Sequence, residues 1–359
     1  MTIVAHHHPF VIGADTHARS HAISILKSPT GELVDEAQFP ATNAGLTRAI
    51  TWAARRTGGD LAALWVIEGA GTYGARLARA ASDAGYTAVE AARMNARANR
   101  GVGKSDPLAA RRIAQAVLPL DVTELRIPRA DDGARAAIRV LIAARDHMST
   151  ERTAAINALT ALLRVAALGI DARRALTTTQ VATVAAWRAR REAVAEAVAR
   201  EEAVRLAQRV TALDEQLKTN AKRVTELLAQ SPARDLLQQP GIGPVTAAVS
   251  FAAWSHPGRV RSEAAFASLA GVNPIPASSG NTIRHRINRG GDRRLNRALH
   301  MAVVTRMRMD PRTRAYVARR TAEGRTLREI RRCLKRYLAR QIYRHLNAAT
   351  AATTSASAA

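Results

Sequence analysis

Two acidic residues end apolar segments in the first part of the chain. Asp15 closes the run VIGAD and Glu68 closes the run WVIE. Both runs predict buried strands, and carboxylates at the ends of adjacent strands can converge at one edge of a sheet. Their oxygens can hold hard ions such as Mg²⁺ there. Two such ions can activate a nucleophile and stabilise a leaving oxygen during phosphoryl transfer.

A third acid, Asp106, begins the predicted helix of the segment KSDPLAARRIAQAV and could join the same metal site. The alternative is a structural role, because a negative charge suits a helix N-terminus and Pro107 suits the first turn. Taken singly, each of the three acids is compatible with many α/β folds. The residues alone therefore leave both interpretations open.

A pair of serines is the second candidate for chemistry. Ser278 and Ser279 lie in ASSGN, a composition typical of a turn. A serine hydroxyl is a weak nucleophile that needs a base or a metal to activate it. His285 and His300 follow without an obvious acidic partner, so no histidine triad is evident. From the residues alone, the segment is a turn of small polar residues.

The composition favours a nucleic-acid partner. The chain of 359 residues has a formal net charge of +25 and is 47% hydrophobic, so it can bury several cores and still offer many cations to phosphates. No run of about 18 apolar residues predicts a membrane span, the start lacks the pattern of a secretory signal, and Cys333 is the single cysteine. We therefore expect a cytoplasmic protein, associated with a bacterial nucleoid and without a membrane partner.

Most of the excess charge lies in one segment. Residues 284–344 carry 20 Lys or Arg against four Asp or Glu, which predicts a polyanion-binding surface rather than an ordinary solvated face. Before it, PGIGPVTAA has the form of a helix–hairpin–helix turn whose helix aims free N–H groups at a phosphate, although a plain tight turn is the default. The predicted nucleic-acid contacts are Lys104, Gly241, Gly243, Arg284, Arg286, Arg289, Arg293, Arg294 and Arg297.

The elements that position these residues fall into four segments, which predict an α/β plus all-α protein. Residues 1–128 alternate strand and helix signals and predict an α/β domain with a mixed sheet. Residues 129–230 have apolar residues at helical spacing, which predicts a helical hairpin or coiled-coil dimerisation arm with its loop near 168–178. Residues 231–346 predict a mainly helical basic domain, and 347–359 predict a disordered tail of low complexity.

Taken together, these segments resemble the DEDD-type transposases, a family that includes the Piv-like DNA invertases and the bridge-RNA-guided insertion-sequence recombinases. The resemblance is carried first by GADTH, IEGAGTYG and GKSDPLAARRIA. It continues in PGIGPVTAA, FASLAGVNPIPASSG and INRGGDRRLNRAL, so it covers nearly the whole chain in the right order.

The resemblance implies a RuvC-like, ribonuclease-H-type domain in which Asp15, Glu68 and Asp106 bind Mg²⁺. It also implies that Ser279, or less favourably Ser278, attacks a DNA phosphate and forms a covalent protein–DNA link. The implied partners are donor and target DNA, a noncoding guide RNA and further copies of the chain. On this basis the chain is expected to act as a dimer or tetramer, in which the acids of one subunit meet the serine of another.

The sequence departs from the family pattern at one position. The pattern places a fourth acid one helical turn after Asp106, where this chain has Ala109. Since residues three apart share a helix face, the missing carboxylate is expected to weaken metal binding. We expect an inactivated variant, engineered or natural, that cleaves poorly and still binds nucleic acid. The alternatives are a catalytically inactive nucleic-acid-binding derivative and a junction resolvase that uses the acids without the serine.

Overall fold

A computed structural model describes residues 2–92, 105–129, 133–282 and 285–357 of the chain. The chain forms two compact units, Met1–Asp131 and Asp132–Ala359. Within the part described, no helix combines the length and the apolar character that crossing a membrane requires.

Among the described residues of the first unit, a five-stranded mixed sheet forms the centre. Its strands are Phe10–Thr16 (β1), Ser20–Lys27 (β2), Glu32–Pro40 (β3), Leu64–Ile67 (β4) and Thr87–Glu90 (β5), in the spatial order β3-β2-β1-β4-β5. Neighbours among β1, β2 and β3 are antiparallel, whereas β4 is parallel to β1 and β5 is parallel to β4. The predicted mixed sheet is confirmed. Because β1 and β4 are parallel, their last residues lie at the same edge.

Helices cover both faces of this sheet. They are Val4–His7 (α1), Asn43–Thr57 (α2), Ala75–Asp83 (α3) and Asp106–Gln115 (α4). Successive strand residues point to opposite faces, so Ile12 packs with apolar residues of α2 and α3. Its neighbour Val11 packs with apolar residues of α1 and α4 on the other face. The unit is therefore a three-layer α/β structure with α4 lying against the central strands.

The second unit opens with a helical hairpin, as the sequence predicts. Its long helices are Gly133–Val165 (α5) and Val194–Ala229 (α7). They run antiparallel. The Asn220 side chain of α7 donates to the Leu141 carbonyl of α5 at 3.0 Å, whereas Arg209, earlier in α7, pairs with Glu151, later in α5. The connection is longer than the predicted 168–178, because it contains the helix Thr178–Ala185 (α6), whose apolar residues complete a core between α5 and α7.

Helices and a short hairpin make up the rest of this unit. They are Pro244–Trp254 (α8), Glu263–Leu269 (α9), Pro274–Pro276 (β6), His285–Ile287 (β7), Arg293–Met309 (α10), Pro311–Ala322 (α11) and Leu327–Ser357 (α12). Their core contains the buried Trp254, Phe266 and Leu299, together with Ile138 of α5 and Leu228 of α7. The sequence predicted two domains divided at residue 230. The structure instead gives one unit, because the ends of α5 and α7 lie in the core of the basic segment.

The C-terminal segment also differs from its prediction. The helix α12 continues to Ser357, whereas the sequence predicted disorder from residue 347. Alanine has the highest helix propensity of the amino acids, and the run AATAATTSAS extends a helix already anchored by the buried Ile342 and Leu346. The predicted tail is therefore corrected over residues 347–357 to the last turns of α12.

Candidate active site and nucleic-acid interface

The paired ends of β1 and β4 place two of the predicted acids side by side. Ala14 of β1 lies opposite Ile67 of β4 in parallel register, so Asp15 and Glu68 follow at the same edge. The Glu68 N–H donates to the Ala14 carbonyl at 2.9 Å, and the Thr16 hydroxyl donates to the Glu68 carbonyl at 2.7 Å. These bonds fix the backbone at the edge, with Asp15 buried and Glu68 exposed.

The helix α4 brings the third acid to the first strand by an unusually close approach. A Cβ atom at Gly13 of β1 would lie 2.1 Å from the Ala110 carbonyl oxygen of α4, so only glycine allows this contact. The Ser24 hydroxyl of β2 donates to the Pro107 carbonyl at 3.2 Å. Both contacts hold the first turns of α4 against the central strands and thereby position Asp106.

Asp15, His17 and Asp106 form a compact group at this edge. His17 Nε2 lies 3.3 Å from Asp15 Oδ2 and 3.7 Å from Asp106 Oδ1, and one ligand atom from each residue lies within 4.8 Å of the others. The side chains of His17 and Asp106 are about half exposed. The group therefore offers two carboxylates and an imidazole to a cation from solvent.

Sequence reasoning missed His17, although the motif GADTH contains it. A readable signal was present, because residues two apart along an extended segment point to the same side. Asp15 and His17 have that spacing at the end of β1. The histidine was not predicted because the oxygen ligands of Mg²⁺ point to acids alone.

The other two predicted positions of the metal site lie beside this group. Glu68 has its backbone next to Asp15, but its carboxylate is not one of the ligand atoms that lie within 4.8 Å of one another. Ala109 follows Asp106 by one turn of α4, and its N–H donates to the Ser105 carbonyl at 2.9 Å. Its methyl group supplies no ligand. The two carboxylates suit Mg²⁺, whereas the imidazole suits transition ions better.

In the second unit, Ser279 lies in a tight turn between β6 and β7. Ser279 and Thr282 exchange backbone hydrogen bonds of 3.2 and 3.1 Å. Gly280, between them, has a φ of +53°, which favours glycine at this position of a hairpin turn. Ser278 and Ser279 are both exposed. The predicted turn is present, and it leaves both serines accessible to a large substrate.

A network of side chains and touching backbones holds the base of this hairpin. Asn288, after β7, donates through Nδ2 to Asn273 Oδ1, before β6, at 2.6 Å. A Cβ atom at Gly291 would lie 2.3 Å from the Gly271 backbone nitrogen, so the two loops meet backbone to backbone. The Asn296 side chain of α10 donates, at 2.7 Å, to the carbonyl of Ala270, the residue just after α9. The hairpin is thereby fixed to α9 and α10.

A cavity of about 1050 Å³ is lined by β7, α10, α12 and the loop that precedes β6. We refer to it as the basic cleft. Among the described residues that line it there is no Asp or Glu. Its cationic side chains are Arg286, Arg289, Arg293, Arg297, Arg328, Arg331, Arg332, Lys335 and Arg336. The first four were predicted from the sequence. The set on α12 lies within the predicted basic segment 284–344 but was not named residue by residue, although its spacing of three and four residues places it on one helix face.

The positive charges of the basic cleft repel one another. Lys335 donates from Nζ to Asn296 Oδ1 at 3.0 Å, and burial, followed by the charge of Arg332, lowers the pKa of its ammonium. Burial also lowers the pKa of His300, with smaller contributions from Lys335 and Arg331. Bringing a polyanion into the cleft would relieve this repulsion, which makes the cleft suited to phosphates.

Two glycines predicted to contact phosphate have different surroundings. Gly241 has a φ of +73°, and a Cβ atom there would lie 2.6 Å from the Ala302 carbonyl oxygen of α10. Packing inside the unit therefore accounts for this glycine. Gly243 is exposed, has no heavy atom within 4 Å of its built Cβ, and immediately precedes α8. It leaves room for a phosphate at the start of that helix.

Two of the predicted arginines also bind a carboxylate of the arm. Arg294 Nε and Arg297 Nη2 lie 2.6 and 2.9 Å from the Asp146 carboxylate of α5. Arg294 and Arg297 therefore tie α10 to the hairpin, while Arg297 also lines the basic cleft. Lys104 and Arg284, which were predicted as contacts too, lie outside the described residues.

Comparison with known proteins gives matches in both units. Residues 12–167 match the DEDD transposases of the IS110 type, and residues 233–318 match the group described as "Transposase IS116/IS110/IS902 family". A Streptomyces coelicolor protein described as "Insertion element IS110 uncharacterized 43.6 kDa protein" is 35% identical over 123 residues, or 34% of this chain. That stretch spans 30% of the relative's length. The first match contains the three acids, and the second contains Ser279.

Proposed function

Because the chain belongs to the DEDD-type transposases of the IS110 group, we propose that it is the transposase of an insertion sequence, a metal-dependent recombinase that cleaves and rejoins DNA. The observation that carries the proposal is the meeting of Asp15 and Asp106 at one edge of the sheet. Two carboxylates held this close repel each other unless a cation lies with them. A strand end and a helix start that bring them together are therefore typical of a metal site.

The metal ligands of the proposed enzyme are Asp15 and Asp106, with Glu68 on the adjacent strand end as a further ligand. When bound, Mg²⁺ supplies positive charge that stabilises the oxygens of a phosphodiester under attack. Gly13 and Ser24 keep Asp106 in place through their contacts with α4. The strand order, with α4 against β1 and β2, supports the assignment of this unit to the RuvC-like, ribonuclease-H-type folds.

The proposed nucleophile is Ser279. Its hydroxyl attacks a DNA phosphorus, and the serine–phosphate bond forms as the bond to the leaving sugar oxygen breaks, with the serine proton ending on that oxygen. A second DNA hydroxyl then attacks the same phosphorus, breaks the serine–phosphate bond and returns its proton to the serine. The exposed turn supports this role, and so does the position of Arg286 and Arg289 in the basic cleft at the base of the same hairpin. Arginine donors beside a phosphate stabilise the charge that develops on its oxygens.

A noncoding guide RNA and assembly into a dimer or tetramer are further parts of the proposal. The basic cleft offers many cationic side chains to a phosphodiester backbone, and in this proposal sequence choice comes from base pairing. The long arm formed by α5 and α7 is the proposed dimerisation element. Sequencing the RNA that co-purifies with the protein tests the guide: one discrete species supports it, and random cellular RNA contradicts it.

The test of the recombinase is a covalent adduct with DNA. The protein, carrying Ala109→Asp to supply the fourth acid, is incubated with donor and target DNA and Mg²⁺, denatured, and separated from free DNA. We expect an adduct that disappears in Ser279→Ala and persists in Ser278→Ala, a matched change of the neighbouring exposed serine. Cleavage that persists in Ser279→Ala without an adduct would indicate a junction resolvase that uses the acids alone.

One observation favours a second candidate, a catalytically inactive nucleic-acid-binding derivative. Ala109 offers no ligand one turn after Asp106, so we expect weak cleavage by the chain as it stands. Ala109→Asp is expected to raise cleavage with Mg²⁺ by at least the roughly tenfold that groups supporting a metal typically contribute, with DNA affinity unchanged. Equal and robust cleavage by both proteins would contradict the impairment. Tight binding without cleavage in both would establish the inactive derivative.

A further inference from the structure

We propose that His17 is a ligand of the metal site and that it gives the site a preference for a divalent transition ion over Mg²⁺. The inference rests on the proposed function in one respect, because it uses the same Asp15–Asp106 pair. It goes further by naming a nitrogen ligand and the class of ion.

The position of the imidazole carries the first step. Its Nε2 atom faces both carboxylates, at 3.3 Å from Asp15 and 3.7 Å from Asp106. Neighbouring ligands on an octahedral ion with bonds of about 2.1 Å lie about 3.0 Å apart. The two distances from the imidazole are therefore close to the separations that a shared ion requires. The side chain is about half exposed, so small adjustments of His17 do not disturb the core.

The chemistry of the donors carries the second step. Mg²⁺ takes oxygen ligands almost exclusively, whereas imidazole nitrogen favours first-row transition ions. The position one turn after Asp106 is an alanine, so α4 adds no second oxygen at that point. A site that adds an imidazole to its carboxylates is consequently a better fit for a transition ion than for Mg²⁺.

A rival interpretation makes His17 a counter-ion rather than a ligand. An imidazolium between two carboxylates would neutralise their repulsion, and a metal ion would have to displace it. The two interpretations predict opposite effects of removing the imidazole. A lost ligand lowers the affinity for the ion, whereas a lost counter-ion raises it.

The experiment measures metal binding rather than activity. The full chain carries His6→Gln and His7→Gln, because these exposed residues of α1 could bind ions themselves. Mn²⁺ is titrated and free Mn²⁺ is followed by electron paramagnetic resonance, with pulsed measurements to detect ¹⁴N coupled to the bound ion. Mn²⁺ is the weakest binder of its series, so a preference for it over Mg²⁺ is a stringent probe. His17→Gln and Asp106→Asn are compared with His147→Gln, an exposed histidine of α5.

We expect a ¹⁴N signal on bound Mn²⁺ that is lost in His17→Gln, with an affinity loss of about tenfold or more, and weak competition by Mg²⁺. His147→Gln should behave as the parent. Absence of the ¹⁴N signal, or an affinity that is unchanged or raised in His17→Gln, would overturn the proposal while leaving the Asp15–Asp106 site intact. If Asp106→Asn also leaves Mn²⁺ affinity unchanged, the metal site itself fails, and the proposed function fails with it.

Discussion

Gly13 shows how far a candidate active site can depend on a residue that does no chemistry. Its missing side chain lets α4 lie directly on β1, with the Ala110 carbonyl where a Cβ atom would be. Asp106 begins that helix, so the distance between Asp15 and Asp106 is set by the packing of Gly13. At this scale, the chemical residues are recognisable by type, whereas the residue that brings them together is not.

Gly13→Ala is therefore expected to destabilise the first unit and to increase the distance between Asp15 and Asp106. Forcing an extra methyl group into a packed contact typically costs about 1–3 kcal/mol, and the helix must move away from the sheet to accept it. Hydrogen exchange of β1 and β2, followed by mass spectrometry, measures the loss of stability. Gly71→Ala is the matched control, because its built Cβ meets nothing within 4 Å. Equal protection in both variants would show that α4 does not depend on Gly13.

At the scale of elements, the two glycines of PGIGPVTAA, in the turn before α8, have different roles. Gly241 packs on α10 in a left-handed conformation, while Gly243 is exposed at the start of α8. Arg306 of α10 donates to the Pro240 carbonyl at 2.6 Å, which fixes the turn further. The turn is thus anchored by its first glycine and open to a ligand at its second.

These roles predict different results for the same substitution. Gly241→Ala should lower the free energy of unfolding of the second unit by at least about 2 kcal/mol, since it combines a strained backbone with overpacking. Gly243→Ala should change it by less than about 0.5 kcal/mol and weaken DNA binding by crowding the start of α8. Urea unfolding and DNA titration of both variants measure this. Strong destabilisation by Gly243→Ala, or unchanged DNA affinity in it, would contradict the assignment.

Most elements could be predicted because each has a local signal. The strands β1, β2 and β4 are short apolar or alternating runs, and α2 begins after a threonine cap, Thr42. The helix α6 was missed because Gly169 and a threonine run indicated a loop. Its capping box of Thr177 and Gln180 was a local signal of a helix start. The shared core of arm and basic segment could not be read from the sequence, because Ile138 and Leu228 have the periodicity of any helix.

At the scale of the whole molecule, much of the net charge of +25 is concentrated in the second unit. The basic cleft gathers cations from β7, α10 and α12 around one cavity. Two of its groups, Lys335 and His300, have pKa values lowered by burial and by neighbouring cations. A phosphate backbone that enters the cleft gains affinity by releasing its own counterions and by removing that repulsion.

Neutralising the α12 side of the cleft is therefore expected to weaken nucleic-acid binding. In Arg328→Gln/Arg332→Gln/Arg336→Gln, the slope of log affinity against log salt should fall by about 2–3, since each phosphate contact contributes about 0.9. Fluorescence anisotropy with labelled DNA or RNA at several salt concentrations measures the slope. Arg188→Gln/Arg190→Gln/Arg191→Gln removes the same charge from exposed positions outside the cleft. Identical slopes in the two triple variants would show that the charge acts only in bulk.

The common core of the arm and the basic segment bears on how such a protein can change over generations. Leu236 and Ile342 share one core with Ile138 and Leu228 of the arm. An arm exchanged between related genes would therefore have to supply side chains that fit this core. A crossover at residue 230 would leave each parent's interior mismatched. Inheritance should therefore keep the hairpin and the serine-bearing half together as one block, with exchange tolerated near residue 131 instead.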